Sequence, residues 1–253
     1  MLASGVTLGS RGREELFEYA ALAEEQGLES IWVGESWGTA AVPLLTQLLE
    51  RTESIDVCSG IFNIYARTPG LVAMTANTLA EIGGGRFRVG LGASGPAVIE
   101  NFHGVEFERP LRRTREYIEI IRALLAGERV DYDGELFSLS GFSLDADTHH
   151  ECPIYVAAMG DFYREALADQ GYPEVAREIT EAWHDGDREA AKAAIDDDLL
   201  DETAPAGTPE HAREVLEDWA AVDGVDAISV SFPRATDADQ IERTMEALAP
   251  GAE

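Results

Sequence analysis

Apolar residues along the chain alternate between short runs and longer helical periods. The short runs, rich in β-branched residues, predict six strands, at residues 5–9, 30–35, 55–62, 86–91, 154–158 and 227–232. Between them, apolar residues recur every three or four positions and predict helices, at residues 13–26, 41–51, 69–81 and 112–126. This alternation indicates an α/β fold with a parallel sheet built from βα units.

The second half of the chain departs from this alternation. Asp133-Gly134, at the centre of residues 130–139, predicts a β-hairpin. Residues 161–200 show helical periods and no strand, and Thr208-Pro209 predicts the start of a last long helix. The six strands fit a (β/α) barrel, which needs eight, so two strands are unaccounted for. Either the barrel is incomplete or two strands are cryptic.

Composition narrows the class of partner. Among 253 residues, 48 acidic side chains outnumber 19 basic ones, and the net charge of −29 disfavours nucleic acid and anionic membrane surfaces as partners. No run of 18 apolar residues predicts a membrane span, and no leader is recognisable. Two cysteines suit a reducing cytoplasm. Lys192 is the one lysine, which favours a halophilic source over an ordinary acidic protein.

Small and polar residues follow several predicted strands. In a barrel the carboxyl ends of the strands carry the site, so a carboxylate and an indole after strand two fit a pocket for a flat aromatic ligand. An ordinary βα loop with a buried tryptophan is the alternative. The candidates there are Glu35 and Trp37. The ends of strands three, four and five add Ser59, Gly60, Ile61, Asn63, Gly92, Ala93, Ser94, Ala158, Met159 and Gly160.

Two other motifs carry weaker signals. Residues 90–95 match the G-x-G-x-x-G pattern of dinucleotide binding, but Pro96 follows at once and the acids about 20 residues on, Glu116 and Glu119, lie inside a helix. A glycine-rich loop that exposes backbone N–H groups to a phosphate stays open as an alternative. His149 to Cys152 are consecutive, so they predict no metal site.

The strings GLESIWVGESWG, SGIFNIYARTP, GGGRFRVGLGASGPAVIENFHGV and CPIYVAAMG resemble the luciferase-like monooxygenase superfamily. They are most similar to its coenzyme F420-dependent, methylenetetrahydromethanopterin reductase-like branch. The resemblance implies one TIM barrel over residues 1–253, a homodimer, and F420 (alternatively FMN) in the barrel mouth. It implies an oxidoreductase that transfers a hydride to or from a small organic substrate.

The same resemblance implies residue roles. Glu35 and Trp37 fall where relatives place groups near the reacting ring, and the residues named at strands three to five fall where relatives hold the cofactor. Gly60-Ile61 matches a non-prolyl cis peptide that backs the deazaflavin. Arg67 or Arg86 would supply positive charge for the anionic cofactor.

The chain also departs from this family. Many relatives carry a histidine where this chain has Glu35-Ser36, and some carry a glutamate where it has Pro96. Set against the family pattern, barrel units six and seven, roughly 60–80 residues, are expected to be absent between Gly160 and Asp161. The resemblance therefore implies an internally deleted barrel with a junction near 160–161. The alternative function is a catalytically inactive flavin-binding or structural remnant of that barrel.

Overall fold

The computed structural model describes residues 3–8, 12–35, 37–157, 171–195, 211, 214, 227–232 and 236–249. The chain divides into two units. One unit comprises residues 3–157 and 227–253, and the other comprises residues 1–2 and 158–226. The described strands all lie in the first unit, so the candidate site can be built from that unit alone.

The strands of the first unit are short. They are β1 (Ala3–Thr7), β2 (Ser30–Val33), β3 (Asp56–Ser59), β4 (Phe62–Asn63), β5 (Phe87–Gly92), β6 (Val130–Asp133), β7 (Ser138–Phe142), β8 (Ile154–Ala157) and β9 (Ala227–Ser231). Its helices are α1 (Arg13–Glu25), α2 (Ala41–Arg51), α3 (Pro69–Ile82), α4 (Pro96–Asn101) and α5 (Pro110–Leu125), with α8 (Ala238–Leu248) near the end of the chain. The second unit contains α6 (Pro173–His184) and α7 (Arg188–Ala193).

The parallel sheet runs in the order β8-β5-β3-β2-β1-β9. β4 continues the line of β3 after the Gly60–Ile61 bond and also pairs with β5. These are the six strand positions predicted from the hydrophobic pattern, in the neighbour order of a (β/α) barrel. Within the described residues no ladder joins β8 to β9, so the sheet keeps two unpaired edges. The prediction of an α/β barrel fold with these six strands is confirmed, and the absence of units six and seven stays a prediction.

Helices pack their apolar stripes onto the sheet. α2 has the predicted bounds and buries Ala41, Leu45, Leu48 and Leu49. α8 was not predicted, because Ile241 and Met245 are the two buried side chains in a stretch rich in polar residues. Asp237 caps it by accepting a hydrogen bond from Gln240 N at 2.9 Å. The helix predicted from Thr208 lies outside the described residues.

Gly5 of β1, Gly90 of β5 and Gly60 between β3 and β4 make room for the Trp32 indole of β2. A Cβ added to Gly5, Gly60 or Gly90 would lie 3.1–3.2 Å from an atom of Trp32. At Gly90 an added Cβ would also lie 1.9 Å from the Ser59 carbonyl oxygen, which no rotamer change could relieve. Close packing of backbone and indole therefore accounts for these glycines.

The hairpin β6–β7 is attached to α5 by a buried carboxylate. Glu116 is 2% exposed and accepts hydrogen bonds from the backbone N–H groups of Glu135, Leu136 and Phe137, at 2.9, 3.0 and 3.1 Å. Although burial alone would raise its pKa, these donors hold the pKa of Glu116 below its ordinary value. Because this acid is occupied by the hairpin, it cannot serve as the ribose ligand of a Rossmann site.

Candidate functional site at the carboxyl edge of the sheet

A pocket of about 350 Å³ lies beside the carboxyl ends of β2 and β4. Its walls come from the loops that follow these strands and from the turn after α4, together with one residue of α3. The side chains that define it are Glu35, Asn63, Arg67, Leu71, Phe102 and His103. Both the place and the mixture of apolar and polar walls are typical of a small-molecule site.

Glu35 and Arg67 form a two-pronged ion pair in this pocket. Arg67 Nε and Nη2 donate to the two carboxylate oxygens of Glu35 at 2.8 and 2.9 Å. Ala41 N, at the start of α2, donates to Glu35 Oε2 at 3.1 Å. Burial opposes ionisation, but the Arg67 and Ala41 hydrogen bonds outweigh it and hold the Glu35 pKa below its ordinary value. Glu35 is therefore an ionised group that joins two loops.

Arg67 is itself held from two other directions. Its guanidinium carbon lies 4.9 Å from the centroid of the Phe62 ring, and its backbone carbonyl accepts a hydrogen bond from Tyr117 Oη at 3.0 Å. The arginine and glutamate side chains are 17% and 13% exposed. The pair is partly shielded from water, which strengthens its electrostatic attraction relative to a surface pair.

Trp37, the second predicted catalytic residue, lies elsewhere. Its side chain is 60% exposed and is not among the residues that line the pocket. Ser36, between Glu35 and Trp37, lies outside the described residues. The structure thus brings Glu35 into the pocket and leaves the role of Trp37 as a prediction.

Two predicted cofactor residues at the third predicted strand differ in whether their side chains have hydrogen-bonding groups left for a ligand. Ser59 Oγ is fully buried, donates to Gly90 O at 3.0 Å and accepts from Gly90 N at 2.8 Å, so it joins β3 to β5. Asn63 lines the pocket, and its Oδ1 accepts from Tyr65 N at 2.9 Å. Within the described chain its Nδ2 has no hydrogen-bond partner, which leaves two donors for a ligand.

Five other predicted cofactor residues lie on the segments beside Asn63: Gly60, Ile61, Gly92, Ala93 and Ser94. The Gly60–Ile61 peptide bond is cis, as the resemblance implies. A Cβ at Gly92 would lie 2.9 Å from Ile61 Cγ1, so these two residues pack together, while Ala93 and Ser94 follow half-buried. Ser94 has φ 58°, in the left-handed region. Ala158, Met159 and Gly160 lie outside the described residues.

The sequence profile of the luciferase-like monooxygenase family matches residues 2–173. The chain belongs to this family. It is 36% identical over 183 residues to 5,10-methylenetetrahydromethanopterin reductase of Archaeoglobus fulgidus, covering 72% of this chain and 53% of that protein. It is 32% identical over 164 residues to F420-dependent glucose-6-phosphate dehydrogenase of Rhodococcus erythropolis, covering 59% and 48%. The chain thus spans about half the length of the curated relatives it matches.

Solved structures of the family share the fold. The coenzyme F420-dependent tetrahydromethanopterin reductase of Methanopyrus kandleri superposes with a TM-score of 0.74 at 18% identity, over 98% of each chain. The oxygenating constituent of 3,6-diketocamphane monooxygenase of Pseudomonas putida, solved with FMN, superposes with a TM-score of 0.65 at 14% identity, over 100% of this chain and 99% of that one. At 18% and 14% identity, these superpositions establish the architecture of this chain and nothing about its activity.

Two pocket residues carried no functional prediction from the sequence. His103 and Phe102 follow α4, a six-residue helix that the hydrophobic pattern did not predict. Their rings contact each other edge to face, with centroids 5.0 Å apart at 78°. No spacing rule could place them in the same pocket as Glu35, because only the folded course of the chain after β5 brings them to the edge of β2.

Arg86, in contrast, lies at the opposite edge of the sheet from the pocket. It precedes β5, and its guanidinium donates four hydrogen bonds, to Leu49 O, Thr52 O, Thr52 Oγ1 and Ile55 O. These bonds cap the end of α2 and fix the loop that leads to β3. This placement removes Arg86 from the groups that could meet a cofactor at the carboxyl edge.

The segment from His149 to Cys152 has a structural role. Asn77 of α3 donates to Thr148 O at 3.0 Å and accepts from His150 N at 3.1 Å, and Cys152 Sγ lies 3.7 Å from Ala76 O. Burial raises the pKa of the Cys152 thiol to about 11. Among the residues that the structure describes, no group of three or more His, Cys, Asp or Glu side chains could hold a metal ion. None of the described helices is long and apolar enough to cross a membrane.

Proposed function

We propose that this chain is an oxidoreductase that binds coenzyme F420, with FMN as the alternative cofactor, and transfers a hydride to or from a small organic substrate. The observation that carries the proposal is the pocket at the carboxyl edge of the sheet, with the free Asn63 amide in its wall. The pocket belongs to a luciferase-like family member that is similar to proteins named as F420-dependent.

The residues at this edge fit a flat, flavin-type ring. Such a ring carries carbonyl oxygens, which accept hydrogen bonds from an amide such as Asn63 Nδ2. Ile61 would contact the ring face, and Ala93 and Ser94 would contact its rim, whereas buried Ser59 and Gly92 support this surface from behind. Ala158, Met159 and Gly160 are proposed for the phosphate end. When bound, the cofactor supplies the redox chemistry, and the chain supplies orientation.

In the first experiment the protein is titrated in high salt with F420 and with FMN, and fluorescence quenching measures the binding. Wild-type protein is compared with Asn63→Leu and with the control Thr78→Leu, an exposed position on α3. We expect Asn63→Leu to weaken F420 binding about tenfold, because a hydrogen bond to the ring is lost, and Thr78→Leu to change it less than about twofold. Wild-type protein that binds neither cofactor would remove the proposal.

The second candidate is a flavin-binding or structural remnant without turnover. It is favoured by the two unpaired sheet edges, since β8 and β9 form no ladder with each other in the described chain. Binding of a cofactor without its reduction across a panel of alcohols, aldehydes and pterins would support this candidate. Turnover of any member of the panel would remove it.

We propose further that the chain is a single barrel with two βα units deleted near residues 160–161. Its partners would be small molecules rather than nucleic acid or membranes, and it would act as a homodimer in the cytoplasm of a halophile, given its charge of −29. Sequencing the gene across this junction tests the deletion. Light scattering tests the dimer, and unfolding midpoints that rise with salt test the halophilic origin.

A further inference from the structure

The titratable side chains that line the pocket are Glu35, Arg67 and His103. Two of them are engaged with each other. Glu35 stays ionised because Arg67 donates two hydrogen bonds to it, and Arg67 keeps its proton for the same reason. Neither side chain of this pair can exchange a proton readily near neutral pH, so neither is suited to acid–base catalysis.

His103 differs from this pair because its side chain is not engaged by another side chain through a hydrogen bond in the described chain. Its side chain is half-buried, and its ring contacts Phe102 edge to face. Within the described chain the imidazole nitrogens have no hydrogen-bond partner, so both can meet a ligand. Histidine is the side chain type that takes up and releases protons near neutral pH. It faces a pocket whose fixed charges, Glu35 and Arg67, cancel each other.

We propose that His103 is the catalytic acid–base of this pocket, an inference that rests on the oxidoreductase function proposed above. In the oxidising direction the O–H bond of a substrate hydroxyl breaks and its proton passes to an imidazole nitrogen of His103. The C–H bond on the same carbon breaks, its electron pair leaves as a hydride to the bound deazaflavin as oxidant, and a C=O bond forms. Reduction of the carbonyl is the reverse, with the imidazolium as proton donor.

The pocket thus separates two kinds of charged group by the element that carries them. The loop after β2 presents Glu35, which is neutralised by Arg67. The turn after α4 presents His103.

The test compares wild-type protein with His103→Asn and with the control His184→Asn, an exposed position at the end of α6. Three quantities are measured in high salt: the Kd for F420, kcat/KM from pH 5 to 9 with secondary alcohols and their ketones, and the titration of the histidine Cε1 resonances by NMR with and without F420. Resonances are assigned from the two variants.

We expect both variants to bind F420 within threefold of wild type. His103→Asn should lower kcat/KM by about 10²- to 10⁴-fold and abolish the fall in alcohol oxidation at acid pH, because the neutral imidazole is the base. His184→Asn should match wild type. In the wild-type protein, F420 should displace the titration midpoint of His103 and leave that of His184 in place.

Each contrary result has its own meaning. Wild-type protein that binds no deazaflavin would overturn the proposed function and this role together. Binding with kcat/KM unchanged in His103→Asn would overturn the role of His103 alone. If no alcohol or ketone is turned over, the wild-type NMR titration decides, and a His103 midpoint that F420 does not displace overturns the role. If His103→Asn does not fold, His103→Gln supplies the assignment for the same titration.

Discussion

Two arginines lie at opposite edges of the same parallel sheet and use their guanidinium groups differently. Arg86, at the amino edge, donates all four of its hydrogen bonds to the end of α2 and the loop that follows, at 2.9–3.0 Å. Arg67, at the carboxyl edge, donates two hydrogen bonds to Glu35 and lines a pocket. Both arginines were candidates for binding an anionic cofactor, and of the two only Arg67 lines the pocket.

The same contrast holds for the carboxylates at the two edges. Glu24 Oε1 accepts from Glu53 N, Ser54 N, Ser54 Oγ and Ile55 N, at 2.7–3.0 Å, and so fixes the loop before β3. Glu35 accepts from one arginine and one backbone N–H beside open space. Polar groups at the amino edge are saturated by the protein itself, which makes them stabilising, whereas those at the carboxyl edge leave donors for a ligand.

The largest effect is expected for Arg86→Met. It removes all four hydrogen bonds, including those to the backbone carbonyl oxygens of Leu49, Thr52 and Ile55, so the free energy of unfolding should fall by about 3 kcal/mol. F420 affinity should stay within twofold of wild type, because the change lies at the far edge. Denaturant unfolding and fluorescence titration measure the two quantities. A large loss of affinity with intact stability would break the contrast between the edges.

A smaller loss is expected for Glu24→Gln. The neutral amide is a weaker acceptor than the carboxylate for the four donors of the 53–55 loop, so unfolding should become easier by about 1–2 kcal/mol. The neighbouring Glu25→Gln is the matched control, because that side chain is exposed, and it should change stability by less than about 0.5 kcal/mol. Equal effects of the two substitutions would refute the role of Glu24.

At the carboxyl edge, Arg67→Met should act on binding more than on folding. Loss of the ion pair frees the Glu35 carboxylate and loosens the wall of the pocket, so we expect F420 to bind about tenfold more weakly, which is about 1.4 kcal/mol. Stability should fall by about 1 kcal/mol, less than for Arg86→Met, because the pair is partly solvated. If the two arginine variants lose stability equally and neither loses affinity, the pocket is not the ligand site.

The smallest effect is expected for Glu35→Gln, in how much stability the protein loses between pH 7 and pH 3. The pKa of Glu35 is lower in the folded than in the unfolded chain, so its contribution is complete above the unfolded pKa, about 4.3. That contribution is lost as the pH falls through the lower folded pKa. Glu35→Gln should therefore cost less than about 1 kcal/mol at pH 7 and narrow the difference in stability between pH 7 and pH 3. Unfolding midpoints at both pH values, in equal salt, measure it.

The hydrophobic pattern was sufficient for most of the architecture. α2 spans the predicted residues 41–51, and the six predicted strands align in neighbour order. Burial makes the inner strands of a parallel sheet apolar, which is the signal that the pattern detects. α4 and α8 were missed because one is six residues long and the other buries few apolar side chains. Local patterns are weak for elements whose packing partner is distant in sequence.

The candidate site was predicted in part. Glu35 and Asn63 were placed at the carboxyl ends of their strands by the fold class alone, and both line the pocket. From the sequence, the glycines in the strands were interpreted as places where a ligand comes close to the backbone. At Gly90, however, the Ser59 carbonyl and the Trp32 indole leave no room for a side chain. A glycine in the sequence does not say whether a ligand or another strand comes close to it.

By itself, the sequence determined the period of each element, the family, and the strand ends at which chemistry could occur, since these depend on local hydrophobicity and chain order. Only the tertiary structure decided how the charges are used. It paired Glu35 with Arg67, directed the Arg86 guanidinium to the end of α2, and brought His103 into the same pocket as Glu35. Hydrogen bonds between residues 32 to 37 positions apart depend on the packing of whole βα units, which no local pattern encodes.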